Sequence, residues 1–170
     1  NKLAPTSSTT VQMAIGDALA ICLMELRNFK EQDFAKFHPG GSIGKNLTAK
    51  VEQFISSQKP LVEENSTIKD VIFSISSSKH GITVVMDGHK ISGVITDGDL
   101  RRMLLKTDNI GGILAKDIMS KNPKTVEKDA LAKEALTVLK QNNIGQLIVT
   151  ENGNYFGIID LHKLLDEGIN

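Results

Sequence analysis

The stretch that decides the fold reads GVITDGDL and covers residues 93–100. Its first half is apolar and β-branched, which favours a strand. Thr96 then stands three positions before Asp99, a spacing typical of a helix start, where the hydroxyl and the carboxylate satisfy free backbone amides. The sequence therefore predicts a strand that runs directly into a helix at Thr96.

The surroundings of this stretch recur 64 residues later. Gly93 and Ile95 correspond to Gly157 and Ile159, and Gly81, expected near a helix C-terminus, corresponds to Gly145. Apolar residues at helical spacing precede both copies: Ile68, Val71, Ile72 and Ile75 in the first, Ala132, Ala135, Leu136 and Leu139 in the second. Each unit reads strand, helix, strand, strand, helix. Units of about 60 residues are marginal alone, so we expect the two to share one core about a pseudo-twofold axis.

Order, lengths and the GVITDGDL motif resemble the cystathionine β-synthase-type (CBS) domain, and two copies resemble a CBS pair. The resemblance covers residues 49–170, with repeat 1 at 49–112 and repeat 2 at 113–170. It implies an α/β fold of the α+β type with two β-α-β-β-α repeats. It also implies a cleft for an adenosine nucleotide or sugar nucleotide, framed by Thr96 and Asp99. Asn65 and Asp117 are weaker assignments to the same cleft.

Thr96 and Asp99 have a second interpretation, because a Thr-x-x-Asp sequence can simply cap its own helix. Both interpretations stay open, and they are compatible. The second repeat carries Asp160 and Lys163 at the equivalent positions. An ammonium group cannot accept a hydrogen bond from a ribose hydroxyl. We therefore expect no more than one nucleotide per chain.

A different segment, FHPGGSIGK at residues 37–45, combines a histidine with three glycines. It is no phosphate-binding P-loop: the alignment puts Pro39 where the first glycine is required, and a helix rather than a strand precedes it. One remaining interpretation is a helix stop at His38, since residues before proline avoid the helical region, followed by a flexible lead at Gly40, Gly41 and Gly44. The other is an active-site loop.

The whole chain resembles the C-terminal portion of arabinose 5-phosphate isomerases. The resemblance rests on LAPTSSTTVQMAIGDALA (3–20), FAKFHPGGSIGK (34–45) and TDGDLRR (96–102). It implies that residues 1–48 are a helical remnant of a sugar isomerase (SIS) α/β sandwich, with His38 as a catalytic residue. It further implies a phosphosugar substrate, a cytoplasmic homo-oligomer, a tetramer in the parent enzyme, and a role in supplying the lipopolysaccharide sugar Kdo. Because the other catalytic groups of the family lie upstream, the fragment alone should be inactive and require no cofactor.

The apolar run MAIGDALAICLM at 13–24 contains one charge, Asp17. At roughly 12 residues it is too short to cross a bilayer, which takes about 20, so no membrane partner is expected. A helix apolar on all sides must be buried on all sides, with Cys22 as a small core residue. Thr9 or Thr10 is expected to cap its start, with Ser7 and Ser8 capping rather than touching substrate.

Composition narrows the function further. Twenty basic and twenty acidic residues cancel, which argues against a nucleic-acid partner. One cysteine excludes an internal disulfide, and His80, His89 and His162 lack partners at metal-ligand spacing, so no metal site is expected. The alternative function is a free-standing, nucleotide-sensing CBS module without catalysis, which leaves residues 1–48 unexplained.

Overall fold

The computed structural model describes residues 5–38, 40–107 and 109–170, except the side chain of Ser42. Pro39 lies outside the described residues, whereas His38, where the sequence predicts a helix stop, is described and ends the helix Glu31–Phe37. Three helices come first, α1 (Thr6–Leu26), α2 (Glu31–Phe37) and α3 (Ser42–Thr48), followed by a 3-10 turn at Val51–Phe54. The first unit contains β1 (Leu61–Glu63), α4 (Ile68–Ser78), β2 (Ile82–Asp87), β3 (Lys90–Thr96) and α5 (Asp97–Leu104).

A short linking region, α6 (Ala115–Ile118) and β4 (Ser120–Lys121), leads into the second unit. That unit contains β5 (Thr125–Glu127), α7 (Ala132–Asn142), β6 (Gln146–Glu151), β7 (Asn154–Asp160) and α8 (Leu161–Asp166). The predicted order of strand, helix, strand, strand, helix is confirmed in both units.

The two sheets are built alike. The first has the order β1-β2-β3-β4 and the second β5-β6-β7, each with one parallel pair followed by antiparallel pairing. Val62 pairs with Val85 in the first sheet, and Val126 pairs with Val149 in the second. Even the register irregularities fall at equivalent places, after Val85 and after Val149. The α+β fold class of a CBS pair is confirmed.

The segments that lead into the two units are exchanged. The backbone amide of Val51 donates to the carbonyl of Ala130 at 2.9 Å, so the 3-10 turn joins the second unit. Equivalently, the amide of Ala115 donates to the carbonyl of Ser66 at 2.9 Å, so α6 joins the first unit. Val51 and Ala115 are both fully buried in the core of the opposite unit. Neither unit therefore completes its core from its own residues.

A third apolar cluster lies between the sheets and is the shared part of the core: Ile82, Val84, Met86, Ile148 and Ile158. Its members come from both units, β2 on one side and β6 with β7 on the other. Together with the exchanged segments, this cluster agrees with the expectation that the two units share one core.

Gly93 and Gly157 are required by these exchanged segments. A Cβ at Gly93 would lie 2.7 Å from the carbonyl oxygen of Ser120 in β4. A Cβ at Gly157 would lie 2.5 Å from Cγ2 of Ile55. The motif glycine therefore permits close packing of a neighbouring segment. Among the glycines expected after α4 and α7, only Gly81 has a positive φ; the left-handed C-caps themselves are Lys79 and Asn143.

Helix α1 differs from the expectation in three ways. It begins at Thr6, with Thr9 donating to the carbonyl of Pro5 and Thr10 to that of Thr6, so neither threonine caps the start. Ser7 and Ser8 lie within its first turn, and no side chain caps the helix. Cys22 is exposed rather than buried, because α1 contains no buried residue and nothing in the described chain covers it.

The length of α1 also corrects the bilayer argument. Residues 6–12 and 25–26 extend the apolar run into a helix of 21 residues, with a mean hydropathy of 1.3 over its most apolar window. By length and composition such a helix could cross a membrane, and a core helix of a soluble domain passes the same test. Length alone therefore does not exclude a membrane span.

The glycine-rich segment after α2 is not a flexible lead. Gly41 precedes α3, and Gly44 lies buried inside it. Helix α3 is fastened to the end of the second unit, where Asn46 and Asn170 exchange two hydrogen bonds of 2.9 Å. Lys45 adds a bond to the carbonyl of Glu167 at 2.9 Å. The segment is thus largely helical and is hydrogen-bonded to the second unit of the CBS pair.

Candidate functional site

The start of α5 forms the predicted capping arrangement. Asp99 Oδ2 accepts hydrogen bonds from the backbone amide of Thr96 at 2.8 Å and from its hydroxyl at 2.7 Å. The amide of Asp99 donates to Thr96 Oγ1 at 3.3 Å. The capping interpretation is therefore realised, and it fixes the position of the Asp99 carboxylate at the C-terminal end of β3.

The other oxygen of Asp99 is also occupied. Arg102, one helical turn later, donates from Nη2 to Asp99 Oδ1 at 2.6 Å. Burial raises the pKa of Asp99, but the hydrogen bonds from Thr96 and the charge of Arg102 outweigh that effect, so the pKa lies below its usual value. Asp99 is consequently a charged acceptor at neutral pH.

A cavity of about 530 Å³ opens beside this carboxylate, within the size range of small-ligand sites. Both units contribute to it: Ile82, Val94, Thr96, Asp99 and Arg102 from the first, and Ser120–Lys124, Asn142–Gln146 and Ile148 from the linking region and the second. Lys121, Lys124 and Arg102 bring three cations to its wall against one carboxylate. The cavity is therefore suited to an anion that also presents hydrogen-bond donors.

A second cavity of about 490 Å³ lies on the other side of Arg102. Asp99 and Arg102 line both cavities, and the second also contains Lys106 and Asp117. Asp117 caps α6 by accepting a hydrogen bond from the amide of Leu114 at 2.8 Å. Of the weaker assignments, Asp117 thus lies near Asp99 but in the adjacent cavity.

Asn65 lines neither cavity. It is exposed in the turn before α4, and its side-chain oxygen accepts a hydrogen bond from Lys116 at 2.8 Å. The structure therefore places Thr96 and Asp99 in one cavity and Asp117 in the adjacent cavity. Asn65 lies apart from all three.

The equivalent cleft in the other half of the pair is crossed by hydrogen bonds. Ser56 Oγ lies 2.5 Å from His80 Nε2, and the side-chain amide of Gln58 donates to the carbonyls of Ser77 and Ser78. Lys163 Nζ donates to the carbonyl of Ile55 at 3.3 Å. At the matching positions of the open cavity stand Ser120, Asn122 and Ile144. Isoleucine cannot form the bond that His80 makes.

His38 ends α2 and is exposed, with its ring centroid 4.7 Å from that of Phe34. The neighbouring Phe37 is also exposed, at 73%. Within residues 5–38, 40–107 and 109–170, no cluster of three or more His, Cys, Asp or Glu side chains could hold a metal ion. His38 thus stands on a surface together with apolar residues, away from both cavities.

Sequence reasoning missed Lys121 and Lys124. They reach the first unit only because the segment leading into repeat 2 is exchanged, and β4 pairs with β3 through Gly93 and Lys121. The one local signal was the cluster SKNPK at 120–124, two lysines around a proline. That this cluster lines the same cavity as Asp99 is a tertiary property, and periodicity within a repeat cannot predict it.

Comparison with known proteins matches a family model described as CBS domain to residues 51–106 and 115–170. Among curated proteins, the chain is 40% identical over 166 residues to arabinose 5-phosphate isomerase KdsD of Francisella tularensis, covering 96% of the chain and 51% of that protein. It is 40% identical over 171 residues to KdsD of Pseudomonas aeruginosa, covering 98% and 52%. The chain spans about half the length of these relatives.

Solved structures agree on the fold. A CBS domain protein from Pyrobaculum aerophilum, complexed with AMP, superposes with a TM-score of 0.62 at 19% identity, covering 68% of this chain and 89% of that one. An uncharacterized conserved protein from Pyrococcus horikoshii superposes with a TM-score of 0.62 at 21% identity, covering 70% and 91%. At sequence identities this low, the similarity shows a shared fold and nothing more.

Proposed function

The chain belongs to the CBS domain family, and from this premise we propose that it is the regulatory CBS pair of an arabinose 5-phosphate isomerase together with the last segment of its SIS domain. The cavity at Thr96 and Asp99 binds a phosphorylated nucleoside or a sugar nucleotide. Residues 1–48 belong to the catalytic half, and repeats 49–112 and 113–170 are the sensor.

The chemistry of the cavity supports the ligand class. The Asp99 carboxylate is charged and can accept hydrogen bonds from ribose hydroxyls. Arg102, Lys121 and Lys124 supply the positive charge that a phosphate requires. The cleft of the other half carries Lys163 in place of the carboxylate and is crossed by its own hydrogen bonds. One ligand per chain is the expected stoichiometry.

One observation carries the enzymatic part: the 40% identity to the isomerases extends over 96–98% of the chain and so includes the segment that a free-standing CBS pair leaves unexplained. Conversion between ribulose 5-phosphate and arabinose 5-phosphate moves a proton between adjacent carbons through an enediol. His38 carries an imidazole, the side chain most often used as a general acid or base for such a proton transfer. We assign it to this reaction or to opening of the sugar ring.

The exposed apolar surfaces support the same proposal. The part of helix α1 over residues 13–24 is apolar on nearly all faces and uncovered, and Phe37 beside His38 is exposed. A helix of this kind needs a partner on every side. We propose that the rest of the SIS sandwich surrounds it in a cytoplasmic homo-oligomer, a tetramer in the parent enzyme, which supplies arabinose 5-phosphate for Kdo. Nucleic acid and membrane take no part in this assembly.

The test is isomerase activity of the protein encoded by the complete reading frame. Ribulose 5-phosphate should be converted to arabinose 5-phosphate, and His38→Ala should lower kcat at least about a hundredfold, the usual contribution of a general acid or base. Phe34→Leu, which changes the ring against His38 but no proton-transfer group, is the control. Absence of turnover in the wild-type protein would favour the alternative, a nucleotide-sensing module without catalysis.

The ligand site has its own test. Calorimetry with AMP should give one site per chain, abolished by Asp99→Ala and retained in Lys163→Ala. Two equal sites, or binding that Asp99→Ala leaves intact, would contradict the assignment. The two experiments are independent, because a sensor can bind its ligand whether or not the catalytic half is active.

A further inference from the structure

The Asp99 carboxylate has one acceptor position left for a ligand, on Oδ1, because three of its four lone-pair positions are occupied. Oδ2 holds the helix cap with Thr96, and Oδ1 holds Arg102. A ribose that donates both of its hydroxyls to Asp99 needs two acceptor positions, so it must displace one of these two partners. The helix cap is the less suitable partner to displace, because it forms the start of α5.

Arg102 is the partner that can leave. Its side chain is 67% exposed, whereas that of Asp99 is 10% exposed. The two are three residues apart on one helix, so the arginine can swing away without moving the backbone. Gly98 gives it room to lie across the first turn, since a Cβ there would come within 3.3 Å of Arg102 Nη1. Arg102 also lines both cavities, so its guanidinium can turn into either.

We propose that Arg102 is a latch that makes the cleft select phosphorylated nucleosides over nucleosides. This inference rests on the proposed function of the cleft. A ligand phosphate draws the guanidinium away from Asp99 and offers it a bidentate, charge-assisted partner. The carboxylate oxygen that is released then accepts the ribose hydroxyl. Arg102 is thus a specificity-determining residue.

A nucleoside lacks the group that operates the latch. To bind, a nucleoside must break the ion pair between Arg102 and Asp99, and it offers Arg102 no anion in exchange. Lys121 and Lys124 attract phosphate as Arg102 does. Charge attraction alone therefore predicts that removing Arg102 weakens binding of a nucleotide. The latch predicts something that charge attraction does not: removing Arg102 strengthens binding of the uncharged nucleoside, because both acceptor positions of Asp99 Oδ1 become free for the two ribose hydroxyls.

The experiment measures AMP and adenosine binding by calorimetry in the intact protein and in Arg102→Ala. The wild type should prefer AMP. In Arg102→Ala the affinity for adenosine should rise while that for AMP falls, so that their ratio drops at least about tenfold, the value of one charge-assisted hydrogen bond. Arg102→Lys, which keeps the charge but loses the planar fork, should lie between the two.

Arg101→Ala is the matched control, because Arg101 is the adjacent exposed arginine on the same helix. It should leave the ratio unchanged. If Arg102→Ala weakens both ligands equally, or leaves the ratio intact, the latch is wrong while the nucleotide site stands. If the wild type binds neither AMP nor adenosine at millimolar concentration, both the latch and the proposed site are wrong.

Discussion

The two CBS repeats share a fold but not a site. Their strands pair in the same register, and their leading segments are exchanged in the same way. At the positions proposed to bind the ligand, the charges are reversed: Asp99 and Arg102 in the first repeat correspond to Lys163 and Asp166 in the second. One cleft is an open cavity, and the other is crossed by the Ser56–His80 bond. The apolar pattern thus determines the fold, whereas a few polar positions distinguish the two clefts.

The largest effect should come from the two motif glycines. Gly93→Ala places a Cβ 2.7 Å from a backbone carbonyl of β4, which cannot move without shifting the strand. We expect a loss of about 3 kcal/mol in unfolding free energy, the upper range for overpacking. Gly157→Ala meets the methyl end of the Ile55 side chain, which can rotate, so about 1 kcal/mol should be lost. Urea unfolding measures both.

Gly145→Ala is the control for this comparison. It has open space around it and no positive φ, so its stability should stay within about 0.5 kcal/mol of the wild type. Equal losses for Gly93→Ala and Gly157→Ala would mean that β4 moves as easily as an isoleucine side chain. β4 would then not be held firmly in its close packing against Gly93.

The order of elements and the helix cap at Thr96 could be predicted from the sequence, because each depends on residues a few positions apart. The repeat could be predicted because the same pattern of residues recurs at a constant offset of 64. The exchange of leading segments could not, because Val51 and Ala115 are ordinary apolar residues in either unit. The difference between the clefts was partly visible in Lys163. The other cause of the difference is that His80 in the first repeat corresponds to Ile144 in the second. His80 matters because it bonds to Ser56, which is distant from it in the sequence.

A smaller effect should appear in the pH dependence of stability. The pKa of Asp99 in the folded protein lies below its usual value, because the hydrogen bonds and charge of Thr96 and Arg102 outweigh the effect of burial. Its stabilising effect is therefore fully present above the unfolded-state pKa of about 3.9 and is lost as the pH falls through the folded-state value.

Asp99→Asn should therefore lose about 1 kcal/mol at pH 7, since an amide keeps only part of the cap. Between pH 6 and 3 its unfolding free energy should fall less steeply than that of the wild type. The slope should not vanish, because the pKa values of Asp70 and Glu127 are lowered too. Lys163→Ala, which changes the equivalent position of repeat 2, should keep the wild-type slope in this range. If the unfolding free energies of Asp99→Asn and the wild type fell equally steeply between pH 6 and 3, the assigned role of Asp99 would be contradicted.

The smallest effect is expected from Lys163→Asp, which restores a carboxylate to the second repeat. If that carboxylate were all that the second cleft lacks, the variant would bind two nucleotides per chain. We expect one, because Ser56, His80 and Gln58 bond across the space that the second ligand would need. Stability should change by no more than about 0.5 kcal/mol, since Lys163 is exposed and loses one bond to the carbonyl of Ile55. Calorimetry of Lys163→Asp beside Lys163→Ala measures the stoichiometry. Two sites in the aspartate variant would show that the closed cleft opens readily, and that a single charge, rather than the bonds across the cleft, accounts for the difference between the repeats.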